Sequence, residues 1–281
     1  MDITDDEILK LVETVKVTSK YDFSDYTEKS FRRRIEKVVT DNKLSVDDLL
    51  KRLKTDKTFL EKIVRDITVN TTELLRDPNV WITLRDKILP ELKNKESINI
   101  WHAGCSSGQE VYSMLIMLNE LGLYDKTNVF GTDLNTDMIE ESKRAIYKYQ
   151  FNAIYFENFD AVFNSTEEVA KRGKLSYDKY FTIDKNKDLI IVKDFLKKKP
   201  FFRTHDLVND DNVFGIFFDL IICRNVLIYF NNKLQNRVFD LFHRSLFPDS
   251  FLIIGMHESI LGPFSTRLEK RGLYYKKRHE Y

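Results

Sequence analysis

Asn99-Ile100-Trp101-His102-Ala103-Gly104-Cys105-Ser106-Ser107-Gly108-Gln109-Glu110 reads as a buried strand, a glycine turn and the first turn of a helix. Gly104 and Gly108 let a backbone approach a ligand closely. Asp133 ends the next apolar run, Asn128-Val129-Phe130-Gly131-Thr132, where an acid can take ribose hydroxyls. A glycine turn and an acid one strand later form the layout of a nucleotide site on a doubly wound sheet. Glu110 narrows the cofactor. A carboxylate at a helix start suits the helix dipole, yet it repels a pyrophosphate and tolerates a cation. S-adenosylmethionine carries a sulfonium and an ammonium and no phosphate, so it fits better than a nicotinamide dinucleotide. Structural roles compete at both acids: Glu110 as a helix-start residue, and Asp133 as the N-cap of a helix expected over 135–145.

A second run, Phe218-Asp219-Leu220-Ile221-Ile222-Cys223-Arg224-Asn225-Val226-Leu227-Ile228-Tyr229-Phe230, is a buried strand with polar groups at its carboxyl end. Ligands on such sheets sit outside those ends, so Arg224, Asn225 and Tyr229 are candidates. Val69-Asn70-Thr71-Thr72-Glu73-Leu74-Leu75-Arg76-Asp77 is a polar connector carrying one arginine. No His–Asp or paired-carboxylate signature accompanies these residues. The two cysteines, Cys105 and Cys223, flank apolar runs and read as reduced buried thiols rather than a disulfide or a metal pair.

The elements that must position these residues fall into two regions. Ile8, Leu11, Val12 and Val15 share one helix face; Phe31, Ile35 and Val38 share another. Ser45 caps a third helix holding Leu49, Leu50 and Leu53, and Phe59, Leu60, Ile63, Val64 and Ile67 form a fourth stripe. From residue 98 onward, strands over 98–103, 128–132, 201–205, 217–223 and 250–255 alternate with helices such as 110–121 and 135–145. That alternation predicts βαβ units and a mainly parallel sheet. Residues 179–184 and 188–193 read as a hairpin inserted on the sheet's edge.

Bulk properties exclude several classes. A net charge of +1 over 281 residues argues against nucleic-acid or membrane binding by charge. The acidic start Asp2-Ile3-Thr4-Asp5-Asp6-Glu7 is not a signal peptide, and no apolar run approaches the ~18 residues that span a bilayer. A cytoplasmic protein is expected.

Three blocks resemble the CheR-type chemotaxis receptor methyltransferases. Thr68-Val69-Asn70-Thr71-Thr72-Glu73-Leu74-Leu75-Arg76 is similar to T-x-N-x-T-x-F-F-R, residues 101–110 to W-x-A-[AG]-x-S-T-G-E-E, and residues 219–230 to D-x-I-x-C-R-N-V-x-I-Y-F. Gly255-Met256-His257-Glu258-Ser259 echoes a fourth block, G-H-S-E. The resemblance implies an all-α N-terminal domain over 1–72. A Rossmann-like α/β methyltransferase domain follows over 73–281, with a β-insertion at about 176–196. It implies S-adenosylmethionine contacts at Asn70, Thr72, Arg76, Glu110, Asp133, Asp206, Leu207, Asn225 and Val226, beside the turn glycine Gly104, with S-adenosylhomocysteine as product. It implies that Arg76 and Tyr229 lie beside the transferring methyl, and that the acceptors are glutamates on the cytoplasmic helices of chemoreceptors. Arg32, Arg33 and Arg34 become a dock for those acidic helices, and a monomer is expected. Gln109, Val111 and Leu74-Leu75 depart from the family's letters. So does the hairpin turn Asp184-Lys185-Asn186-Lys187-Asp188, which lacks the glycines of members that dock a receptor's C-terminal peptide.

A glutamate is ionised at neutral pH, so methyl transfer to it needs alignment rather than a general base. Alternatives are a same-fold methyltransferase with another protein acceptor, or a non-catalytic S-adenosylmethionine-binding regulator. A nicotinamide dehydrogenase is opposed by Glu110 and by the lack of a catalytic histidine near the site.

Overall fold

Strand β1 (Ile98–Ala103) is buried at every position but Asn99 because it runs through the middle of a sheet covered on both faces. The computed structural model describes residues 3–68, 70–152 and 154–279. In it β1 pairs in parallel with β2 (Thr127–Asp133) on one side and β7 (Phe218–Cys223) on the other. Beyond β2 lies β6 (Phe201–Thr204), and beyond β7 lies β8 (Leu246–Ile254), both parallel to their neighbours. All five strands expected from the sequence are therefore present, in the order β6-β2-β1-β7-β8. Chain order reverses at the β1–β7 boundary. The carboxyl ends of those two strands thus flank the crevice where such sheets bind ligands.

Two strands of the main sheet escape the sequence reading. β9 (Leu268–Arg271) and β10 (Tyr274–Lys277) form an antiparallel hairpin that extends the sheet past β8. Charged residues fill most of β9, which suits an edge strand and hides its periodicity. The hairpin at 179–193 also needs correction. β4 (Phe181–Asp184) and β5 (Leu189–Val192) do pair, but not on the main sheet's edge. β3 (Ile146–Lys148) joins β5, giving a separate three-stranded sheet β3-β5-β4. Three residues are too few to show a strand's alternation.

Among the described residues, eight α-helices precede, connect or follow the strands of the main sheet and of the insertion. They are α5 (Pro78–Thr83), α6 (Leu89–Leu92), α7 (Gln109–Glu120), α8 (Thr136–Arg144), α9 (Ile154–Phe163), α10 (Thr166–Arg172), α11 (Asp194–Lys197) and α12 (Asn232–Ser245). Val111, Tyr112, Leu115 and Met114 of α7 share one core with Tyr147 of β3, Ile190 of β5 and Phe159 of α9. Fully burying side chains of this size contributes roughly 1.5–3 kcal/mol each.

The N-terminal region folds as four helices, numbered α1 to α4: Asp5–Thr18, Glu28–Asn42, Val46–Thr55 and Lys57–Ile67. The expected stripes are their buried faces. Thr4, Ser45 and Asp56 cap the first, third and fourth helices by accepting backbone N–H groups. Compactness divides the chain into two units. One holds the helices up to Thr68 together with Val226–Phe239; the other holds Asn70–Asn225 and the chain from Asp240 onward. Residues 226–239, which the sequence reading assigns with the sheet, thus group with the helices. Among the described residues no helix is long and apolar enough to cross a membrane.

Candidate functional site

The glycine turn is built as its residue types require. Gly104 has φ 79° and Gly108 φ 89°. A Cβ on Gly108 would lie 2.7 Å from Ser142 Cβ, so only glycine lets α7 start this close to α8. The N–H groups of Gly104 and Cys105 both donate to Thr132 O at 2.8 Å, lashing the turn to the end of β2. Asp133 completes the lashing: its Oδ2 accepts from Ser106 N at 2.8 Å and its Oδ1 from Asn135 N at 2.9 Å. Asn135, not Asp133, caps α8. Burial raises the Asp133 pKa, and the backbone donors only partly offset it.

Glu110 sits in a charged bracket. Its Oε1 lies 3.0 Å from His102 Nδ1, and its Oε2 accepts from Arg224 Nη1 at 3.0 Å. Burial alone would raise its pKa. The His102 hydrogen bond and the Arg224 charge outweigh that, leaving the carboxyl below its ordinary value. Arg224 is almost wholly buried and uses its other amino group twice. Nη2 donates to Asp77 Oδ2 at 2.5 Å and to Arg76 O at 3.0 Å. Two acids thus share one guanidinium. The bracket's histidine, His102, is a letter of the glycine-turn motif itself. His102 is fully buried, with Nε2 unpartnered among the described residues. It orients Glu110 and has no path to a substrate.

The connector arrives in an unusual conformation. Leu75 and Asp77 have φ 52° and 56°, the left-handed region, on either side of Arg76. Leu75 N donates to Ser113 Oγ at 2.8 Å, Asn158 Nδ2 donates to Leu74 O at 3.1 Å, and Trp81 Nε1 donates to Arg76 O at 3.0 Å. The Arg76 side chain is half-buried, as are Asn70 and Thr72. Val69, inside the first motif, lies outside the described residues.

At the end of β7, Asn225 takes φ 61° and donates its N–H to Glu258 Oε2 at 3.2 Å; Gly255 N donates to the same oxygen at 2.5 Å. A Cβ on Gly255 would meet that carboxylate, which explains the glycine of the fourth motif. Past β6, Asp206 folds its own turn: Oδ1 accepts from Val208 N at 2.8 Å and Oδ2 from Asn209 Nδ2 at 2.9 Å. Leu207 beside it is buried. So the sheet unit carries Gly104, Asp133, Asp206, Leu207 and Asn225 at strand ends and the turns that follow them, Glu110 on the first turn of α7, and Arg76 on the connector before α5. Val226 and Tyr229 belong to the helical unit, where Tyr229 O accepts from Thr27 N at 2.8 Å.

The three docking arginines differ. Arg32 bonds Asp5, Glu28 and the Ile3 carbonyl, so its charge is engaged internally. Arg33 is exposed and Arg34 half-buried. Residues that the sequence reading overlooked are His102, Asp77, Ser113 and Asn158. Each is a single polar side chain in an apolar run or a connector, with no spacing signal of its own. Both thiols are buried and free, with pKa values pushed well up by burial. Among the described residues no His, Cys, Asp or Glu cluster could hold a metal.

The donor set fits S-adenosylmethionine. Asp133 retains lone pairs for hydroxyls, the carboxylates of the bracket suit a cation, and Gly104, at φ 79°, puts no side chain over the turn. The comparisons agree. The family model described as CheR methyltransferase, SAM binding domain, matches residues 70–273, and CheR methyltransferase, all-alpha domain, matches residues 6–68. A Pseudomonas putida protein named Cher3 is 35% identical over 95% of this chain and 93% of its own length. A chemotaxis protein methyltransferase of Borreliella burgdorferi is 33% identical over 72% of this chain and 69% of its own. Chemotaxis protein methyltransferase 1 of Vibrio cholerae is 32% identical over 82% and 81%.

Proposed function

This chain belongs to the CheR methyltransferase family, and from that premise we propose that it methylates glutamate side chains on the cytoplasmic helices of chemoreceptors. The observation that carries the reading is Arg224. One arm holds Glu110, and the other holds the backbone of Arg76. Cofactor acid and connector arginine therefore ride on one buried guanidinium.

Glu110, Asp133, Asn225 and the glycine turn hold the cofactor, together with Asn70, Thr72, Asp206, Leu207 and Val226. S-adenosylmethionine supplies an electrophilic methyl whose C–S bond breaks as a C–O bond forms, leaving a neutral thioether and a neutral ester. The chain's own task is alignment, which can be worth on the order of 7–11 kcal/mol. Arg76 orients the incoming carboxylate through a charge-assisted hydrogen bond. Tyr229 is the second residue assigned a part in the transfer, on its resemblance to the family's motif. His102 is sealed beneath Glu110, so it abstracts no proton, and an ionised glutamate needs none taken. Residues 1–72 face the receptor, residues 73–281 perform the transfer, and the insertion at about 176–196 packs beside α7. Such a monomer works at the cytoplasmic side of the membrane without inserting into it.

The test is transfer from labelled S-adenosylmethionine to a chemoreceptor cytoplasmic fragment. Arg76→Ala should fold, bind cofactor and transfer at least about tenfold more slowly. Wild-type turnover in that variant would remove Arg76 from the reaction.

A further inference from the structure

We propose that Ser113 is a positioning residue for Arg76, an inference that rests on the role of Arg76 proposed above. Ser113 is fully buried on the first turns of α7. Its hydroxyl proton goes to Gln109 O at 2.8 Å, so its lone pairs face outward from the helix. One of them receives the N–H of Leu75 at 2.8 Å. Leu75 is a bulky residue at φ 52°, a backbone state that persists only where the surroundings over-determine it. Ser113 supplies that constraint on the amino side of Arg76. On the carboxyl side Arg224 and Trp81 both grip the Arg76 carbonyl. With both neighbours of Arg76 left-handed and both sides fastened, the side chain leaves the connector in one direction.

Remove the hydroxyl, and the Leu75 amide loses its acceptor while the reason for a positive φ disappears. Arg76 then departs from the connector along a different line. A misplacement of this size far from the chemistry can lower turnover up to about a hundredfold. Ser113 itself faces Leu75 and Gln109, so any loss of cofactor affinity is limited to what the Arg76 contact supplies.

Ser113→Ala tests this with three readouts on the full chain. Turnover with a chemoreceptor cytoplasmic fragment should fall about tenfold or more, while the dissociation constant for S-adenosylmethionine rises no further than it does in Arg76→Ala. Deuterium uptake of a peptide covering residues 74–77 should rise without cofactor or substrate present. In an Arg76→Ala background, adding Ser113→Ala should slow turnover no further, because a residue acting through Arg76 has nothing left to position. Should Ser113→Ala fold poorly, Ser113→Cys keeps the volume and weakens the acceptor, and the same pattern is expected. Additive losses in the double variant, or unchanged uptake at 74–77, would overturn the positioning role while leaving Arg76 in place. Wild-type turnover by Arg76→Ala alone would instead overturn the underlying reading and this inference with it.

Discussion

Glu110 sits between His102 and Arg224, and its chemistry is testable by itself. Glu110→Gln keeps the shape and removes the charge. S-adenosylmethionine affinity should weaken about tenfold or more, since hydrogen bonds to charged groups are worth about 1.5–3 kcal/mol. Calorimetric titration measures this, and unchanged affinity would refute the cationic-ligand reading of the bracket. Glu110 itself was legible in the sequence, because a carboxylate just after a glycine turn has few uses. Its partners were not. His102 lies in an apolar strand and reads as an ordinary core residue, and Asp77 lies far from Arg224 in the chain. Asp219 marks the opposite case: it opens the third motif, yet its carboxylate accepts from Asn99 N at 2.8 Å and pairs with Lys95. That letter serves strand registration rather than the ligand.

At the scale of elements, β6 carries a pH-sensitive end. His205 follows β6, with Nε2 3.0 Å from Asp211 O and Nδ1 buried without a partner among the described residues. Burial lowers its pKa below 6.5. A histidine depressed in the folded state binds its proton more readily when unfolded. Stability is therefore full above the unfolded value and declines as pH falls from about 6.5 toward the folded pKa, by at most about 1.4 kcal/mol per pH unit. Urea midpoints between pH 7.5 and 5.5 should show this slope, and His205→Gln should flatten it. An unchanged slope would assign the effect to other groups. The helix over 28–42 offers a second test. With Arg32 paired internally, Arg33 is the exposed member of the trio. Arg33→Glu should raise KM for the receptor fragment several-fold at low salt and leave cofactor affinity alone; equal effects on both would argue against docking. Five parallel strands were legible from alternating apolar runs. β3, β9 and β10 were not, because two are edges and all three are short.

For the whole molecule, near-zero net charge leaves recognition to local patches. The family supplies the cofactor and the reaction class; the acceptor is the reading still open to trial. The chemistry of the transferred methyl decides it most directly. A chemoreceptor cytoplasmic fragment incubated with this chain and methyl-labelled S-adenosylmethionine should gain label that mild alkali releases as volatile methanol, the mark of a glutamyl ester. Label that withstands alkali, or cofactor binding with no label on the fragment, would contradict transfer to glutamate.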